Sequence, residues 1–167
     1  MGDHDAKHEA HRRLLRRLED QARDAKRLTD GLDGDILARR VVEGKWSLKE
    51  LVGHLLRVQQ VFEERLGLML GSDNPRLASW NPDHDPAFDR MLEQGSRQVI
   101  SAFVDARAAF LTRLSGLGPA EWHRAAQHPD YPSYDVHFMI EYLAHHEAHH
   151  LYQMYQRRSS FGKIPHA

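Results

Sequence analysis

The sequence predicts an all-α protein, a single four-helix bundle, on three observations. Four segments carry apolar residues at spacings of three and four, and none shows the strict alternation of a half-buried strand. Each segment is long enough for about five to seven turns, and the connections run to about fifteen to twenty residues. The whole chain, 1–167, reads as one domain with helices over about 5–30, 47–70, 86–115 and 135–158. The connections exceed what an idealised up-and-down bundle needs, which allows a crossover topology and loops that cover one end.

Each helix carries its own signals. In the first, Leu14, Leu18, Ala22, Ala25 and Leu28 form the stripe, and Gly31 stands where the helix stops. The second opens on KWSLKEL, in which Ser47 and Glu50 are spaced as a capping box, with Trp46 and Leu51 placed as a hydrophobic staple. Its stripe runs from Leu48 through Leu55, Val58 and Phe62 to Met69. Asp85 and Pro86 read as the N-cap and first position of the third helix, marked by Phe88, Leu92, Val99, Phe103, Phe110 and Leu114. Gly116, Gly118 and Pro119 close it, and PAEWHR forms one short turn. The fourth starts near Asp135 and buries Val136, Ile140, Leu143, Leu151 and Met154.

Composition narrows the function. There is no Cys, which excludes disulfides and thiolate metal sites. With 23 basic and 24 acidic residues, the chain gives no reason to expect nucleic acid or an anionic membrane as a partner. The charged N-terminus lacks the apolar run of a signal peptide, and no segment approaches the ~20 apolar residues of a membrane span. A soluble, cytoplasmic protein is the expectation. The anomaly is histidine: thirteen in the chain, four of them within AHHEAHH.

On a helical wheel, His150 falls about 50° and His146 about 90° from the centre of the last apolar stripe, both on one flank. Their i, i+4 spacing lets both rings converge on one ion. His145 and His149 share the spacing but fall on the far side. His54 flanks the stripe of the second helix, where a lone histidine is ordinarily a satisfied, half-buried residue. The pair on another helix shifts that balance. Three histidines from two helices leave coordination positions open, as catalytic sites do, whereas structural zinc sites are closed by four ligands. HEAHH also matches the H-E-x-x-H pattern of zinc proteases with Glu147 as base. However, no Asp or Glu follows Glu147, and the expected downstream ligand is missing apart from His166 at the tail.

Two stretches, GKWSLKELVGHLLRVQQVF and LGPAEWHRAAQHPDYPSYDVHFMIEYLAHHEAHHLYQM, carry the combination W-S-x-x-E-x-x-x-H and H-x-x-x-H-x-x-Q. Over residues 10 to 157 the chain thereby resembles the DinB/YfiT-like four-helix metalloproteins. The resemblance implies an unusual bundle with a long crossover between its second and third helices, and homodimers. It implies a divalent metal, zinc or nickel, held by His54, His146 and His150. It implies transfer of a low-molecular-weight thiol (bacillithiol, mycothiol or glutathione) to an electrophile, with hydrolysis or non-catalytic ligand binding as alternatives. Arg57, three residues after His54, stands where many members carry an acidic or polar residue.

Other residues are read with two roles each. Glu147 is the candidate proton acceptor, or else a buried partner of an Arg from another helix. Glu50 orients His54 unless the capping box accounts for it, and Gln153 lines the site or is simply exposed. Trp80, Tyr134 and Tyr142 read as core or loop anchors. His4, His8 and His11 belong to a charged terminus, and His84 and His128 to loops near the mouth of the site.

Overall fold

The computed structural model describes residues 2–166, with side chains from residue 8 onward. The side chain of His4 therefore lies outside the described residues. Eight elements follow in order: α1 (Gly2–Thr29), α2 (Gly34–Ala38), α3 (Leu48–Gly71), a 3-10 turn (Pro82–His84), α4 (Pro86–Leu92), α5 (Ser96–Ser115), α6 (Pro119–Trp122) and α7 (Val136–Ser159). The four long ones, α1, α3, α5 and α7, form the bundle.

The ends obey the local chemistry of the sequence. Gly31, at φ +74°, takes the left-handed conformation that stops α1. Ser47 caps α3 in a complete capping box with Glu50, and Asp85 and Asp135 cap α4 and α7 by accepting from Ala87 N–H and Phe138 N–H. The expected third helix, 86–115, is corrected to two. Residues 93–95 break it, because Gly95 takes an extended conformation and caps α5, its N–H donating to the Gln98 side chain. The apolar period runs on through the break, since Leu92 and Val99 are seven residues apart, so periodicity alone did not reveal it. The short helix α2 was also not anticipated.

The long helices pack in a ring in which α1 touches α5 and α7, and α3 touches the same two. Consecutive long helices α1 and α3, and likewise α5 and α7, thus sit on diagonals. Contacts fix the directions. Gly53 faces Val99, Gln59 bonds Arg107, and Glu63 O accepts from Arg113, so α3 and α5 run parallel. The segment 72–95 must therefore travel back along the bundle, which is the crossover connection expected between the second and third helices. Its α4 docks where Gly53 lacks a side chain: a Cβ there would lie 3.0 Å from Leu92 Cδ2. The crossover is also stitched to the 125–135 loop, through Leu77 N–H to Gln127 O and Gln127 N–H to Pro75 O, both 2.9 Å.

The core has two apolar halves. One holds Leu14, Leu18, Phe62, Leu66, Phe110 and Ile140; the other holds Leu28, Leu51, Leu55, Phe103, Leu151 and Met154. Between them lies a buried polar layer. Arg107 of α5 donates to Gln59 of α3, to Leu18 O of α1 and to both carboxylate oxygens of Glu147 of α7. One guanidinium thus ties all four long helices together. Two of the three histidines of the site, His146 and His150, flank Glu147 of this layer along α7.

Candidate metal centre

The capping box and stripe of α3 bring His54 inward two turns from its start, and the phase of α7 brings His146 and His150 to meet it. His54 and His150 are buried, and His146 is half-buried. Their Nε2 atoms converge: His146 Nε2 lies 3.3 Å from His54 Nε2 and 3.1 Å from His150 Nε2. Among the described residues these three are the one group of three or more metal-ligating side chains whose donor atoms lie within 4.8 Å of one another.

Hydrogen bonds among the rings cannot account for this geometry. His150 Nδ1–H donates to Gln153 Oε1 at 2.9 Å, so its Nε2 presents a lone pair to the cluster. If His146 Nε2–H donates to that lone pair, His146 has none left for His54. Among the described residues the buried Nδ1 atoms of His54 and His146 have no partner either. A cation at the centre satisfies all three Nε2 atoms at once. The spacing fits: bonds of about 2.0–2.1 Å place ligand nitrogens about 3.3 Å apart in a tetrahedral site and about 3.0 Å apart in an octahedral one.

Electrostatics agree. Burial, followed by the neighbouring rings His150 and His146, lowers the His54 imidazole to about 3. Burial, with His150 and His149, lowers His146 to about 4. His150 is lowered too, chiefly by burial, against the opposing hydrogen bond to Gln153. All three are neutral near pH 7, the form that binds metals.

Aromatic rings enclose the cluster. Trp46 lies 4.9 Å from the His54 ring, Trp80 stacks on His54 at 6.3 Å, and Tyr142 stacks on His146 at 6.2 Å. Trp46, expected as a staple, is thus a wall of the site. From His54 and His146 a cavity of about 200 Å³ opens between α3, the crossover and the 125–135 loop. Trp80, Tyr134, Tyr142 and His128 all line it, as do Tyr131 and Arg65, which carried no motif in the sequence. The crossover is held over the site by Asp85, whose Oδ2 accepts from Arg57 Nε at 2.6 Å and from Trp80 Nε1 at 3.0 Å. Arg57, the departure from the family pattern, is thus the anchor of the loop that carries Trp80.

For two residues read with two roles each, the contacts match the second. Glu147 is fully buried and its carboxylate is taken up by Arg107 of another helix. Glu50 serves the capping box: its oxygens accept from Ser47 N–H and from Arg40, and among the described residues His54 Nδ1 has no partner. Gln153 does touch the site, holding His150 through Oε1 while its Nε2 lies 3.2 Å from His149 Nε2. His145 and His149 are exposed, as the wheel indicated, and so is His84.

The fold is a four-helix bundle with a crossover, and its three inward histidines from two helices, beside an open cavity, are a donor set that could hold one metal ion. A model of the DinB superfamily matches residues 17–154, and the chain belongs to that superfamily. YfiT from Bacillus subtilis, described as a probable metal-dependent hydrolase with an unusual four-helix bundle topology, shares the fold. It superposes with a TM-score of 0.77 at 15% identity, over 91% of this chain and 87% of YfiT. The DinB-like protein YjoA, also from Bacillus subtilis, superposes with a TM-score of 0.65 at 13% identity, over 92% of this chain and 96% of YjoA. No curated protein matches the sequence.

Proposed function

We propose that the protein is a metal-dependent enzyme that binds one divalent ion, zinc or nickel, through His54, His146 and His150. Its reaction is the transfer of a low-molecular-weight thiol to a small electrophilic substrate. The observation that carries this reading is the convergence of three neutral Nε2 atoms, 3.1–3.3 Å apart in two of the pairs, beside an open cavity. A divalent ion held there supplies Lewis acidity, which lowers the pKa of a thiol or a water that it binds.

The chain's own residues support the rest. Gln153 fixes the tautomer of His150. Trp46, Trp80 and Tyr142 shield the imidazoles and exclude water from one side. With Glu147 committed to Arg107, the carboxylate that lines the cavity among the described residues is that of Asp130, exposed at its rim. That favours a nucleophile needing little help to ionise, such as a thiol, over water. Hydrolysis is the second reading, favoured by the description of YfiT as a probable hydrolase. A homodimer in the cytoplasm completes the proposal.

The test is metal content by mass spectrometry on untagged protein, beside His54→Ala, His146→Ala, His150→Ala and a His145→Ala/His149→Ala control. One metal per chain in wild type and control, and loss in each single variant, supports the centre. Metal-loaded protein is then given 1-chloro-2,4-dinitrobenzene with glutathione or cysteine, and p-nitrophenyl acetate without thiol. Turnover of the first supports transfer, and turnover of the second alone supports hydrolysis. Loss of metal from the control instead of the single variants refutes the assignment.

A further inference from the structure

We propose that Arg65 is the anion-recognising group of the substrate cavity, and that the protein's substrate carries a carboxylate at the end remote from the three histidines. The proposal deepens the reading of the site as a metal centre and rests on it only for the substrate's other end.

His54, Val58, Phe62 and Arg65 follow one face of α3, and all four line the same cavity. Arg65 stands three turns beyond His54, about 16 Å along the axis. Helical side chains lean back toward the N-terminus, so its guanidinium is carried toward the cavity rather than away from it. It sits above the Phe62 ring at 5.5 Å and donates to Ala78 O of the crossover at 3.0 Å. Those contacts hold the group in place but leave its charge unmatched: among the described residues, no carboxylate forms an ion pair with it.

Its neighbours point the same way. Tyr134 is buried, with Arg65 as its neighbour, and His128, on the opposite loop, stacks on Tyr134 at 4.7 Å. Tyr131 and Tyr142 complete the wall, so phenol hydroxyls and an imidazole share the cavity with the guanidinium. Asp130 is the other charged group lining the cavity, but its side chain is 69% exposed at the rim, with its carboxylate 3.9 Å from His128 Nδ1. Solvent screens that charge, whereas Arg65 is half-buried. A planar fork in a cavity that also holds phenol hydroxyls and aromatic faces suits a carboxylate on a short apolar body. About 200 Å³ holds a small molecule of that kind, with one end at the histidines and the other at Arg65.

The experiment uses ω-mercaptocarboxylates of three to eight carbons beside ω-mercaptoalcohols of matched length. Both series are titrated by calorimetry into metal-free and cobalt(II)-loaded full-length protein, wild type, Arg65→Met and Arg65→Lys. Circular dichroism confirms that each variant is folded. In wild type the acid of optimal length binds about tenfold or more tightly than its alcohol, the yield of a charge-assisted hydrogen bond. That preference disappears in Arg65→Met and survives in part in Arg65→Lys. It persists in metal-free protein, at lower affinity for both series. Equal binding of acids and alcohols by wild type, or an acid preference unchanged in Arg65→Met, overturns the proposal and leaves Arg65 as an anchor of the crossover. Failure of cobalt to bind refutes the metal centre instead, and the metal-free titrations then still decide the role of Arg65.

Discussion

Arg107 and Glu147 meet at the centre of the bundle, their side chains 1% and 0% exposed, with Arg107 NH1 2.8 Å from Glu147 Oε1. The pair divides the two apolar halves of the core and fixes the rotation of α7, the helix that presents His146 and His150. A glutamate that neighbours His146 and His150 in sequence is thus paired with the scaffold, its carboxylate held by Arg107.

The consequence is measurable in Glu147→Gln and Glu147→Ala. Removing one partner strands a buried guanidinium, at a cost of about 3–5 kcal/mol. Urea denaturation of the metal-free variants should show a loss of that order, larger for Ala than for Gln. The folded fraction should retain its metal stoichiometry. A stable Glu147→Gln protein with abolished turnover would restore the carboxylate to the reaction.

Gln153 is expected to matter through His150 alone. Without the Oε1 acceptor, the ring loses the hydrogen bond that fixes its tautomer. Gln153→Ala should therefore weaken metal affinity by about 10–100-fold with little change in stability. Competition with a chromophoric chelator reads this directly, and Gln153→Glu should keep most of the affinity.

Asp85 concentrates three functions in one side chain: it caps α4, pairs with Arg57 and accepts from Trp80 Nε1. Asp85→Ala should cost about 2–4 kcal/mol, the sum of a lost cap and of buried donors left without a partner. Hydrogen exchange should quicken in the crossover segment, with α1 and α5 unaffected, and Trp80 fluorescence should shift to the red.

Acid should destabilise the protein through His11. Its ring is buried and stacks on Trp122 at 4.3 Å. Burial, then His137, His123 and His8, lower it to about 4, with Asp135 opposing. Between that value and the ordinary imidazole value of about 6.5, the unfolded chain takes up a proton that the folded chain refuses. The stability due to neutral His11 is complete above pH 6.5 and declines as pH falls toward 4. Urea unfolding at pH 7 and pH 5 should differ through this residue by about 1–2 kcal/mol, and His11→Phe should reduce the difference. An identical pH dependence in wild type and variant would exclude this cause.

The sequence by itself determined the bundle, because periodicity, Ser47–Glu50, Asp85–Pro86, Asp135 and Gly31 are local codes for where helices begin, bury and end. It also determined which face of the last helix turns inward, since i, i+4 spacing and the apolar stripe are properties of one helix. Three matters were left to the tertiary structure. The partner of Glu147 lies forty residues away on another helix, and no local pattern announces Arg107. The break at Gly95 is invisible to a period that continues across it. The cavity is built from side chains of α3, the crossover, the 125–135 loop and α7, so Arg65, Tyr131 and His128 acquire a common role only when the parallel course of α3 and α5 sends the crossover back over the histidines. Helix formation is decided within a few turns of chain. A site made of convergent side chains is decided by which segments the packing brings together.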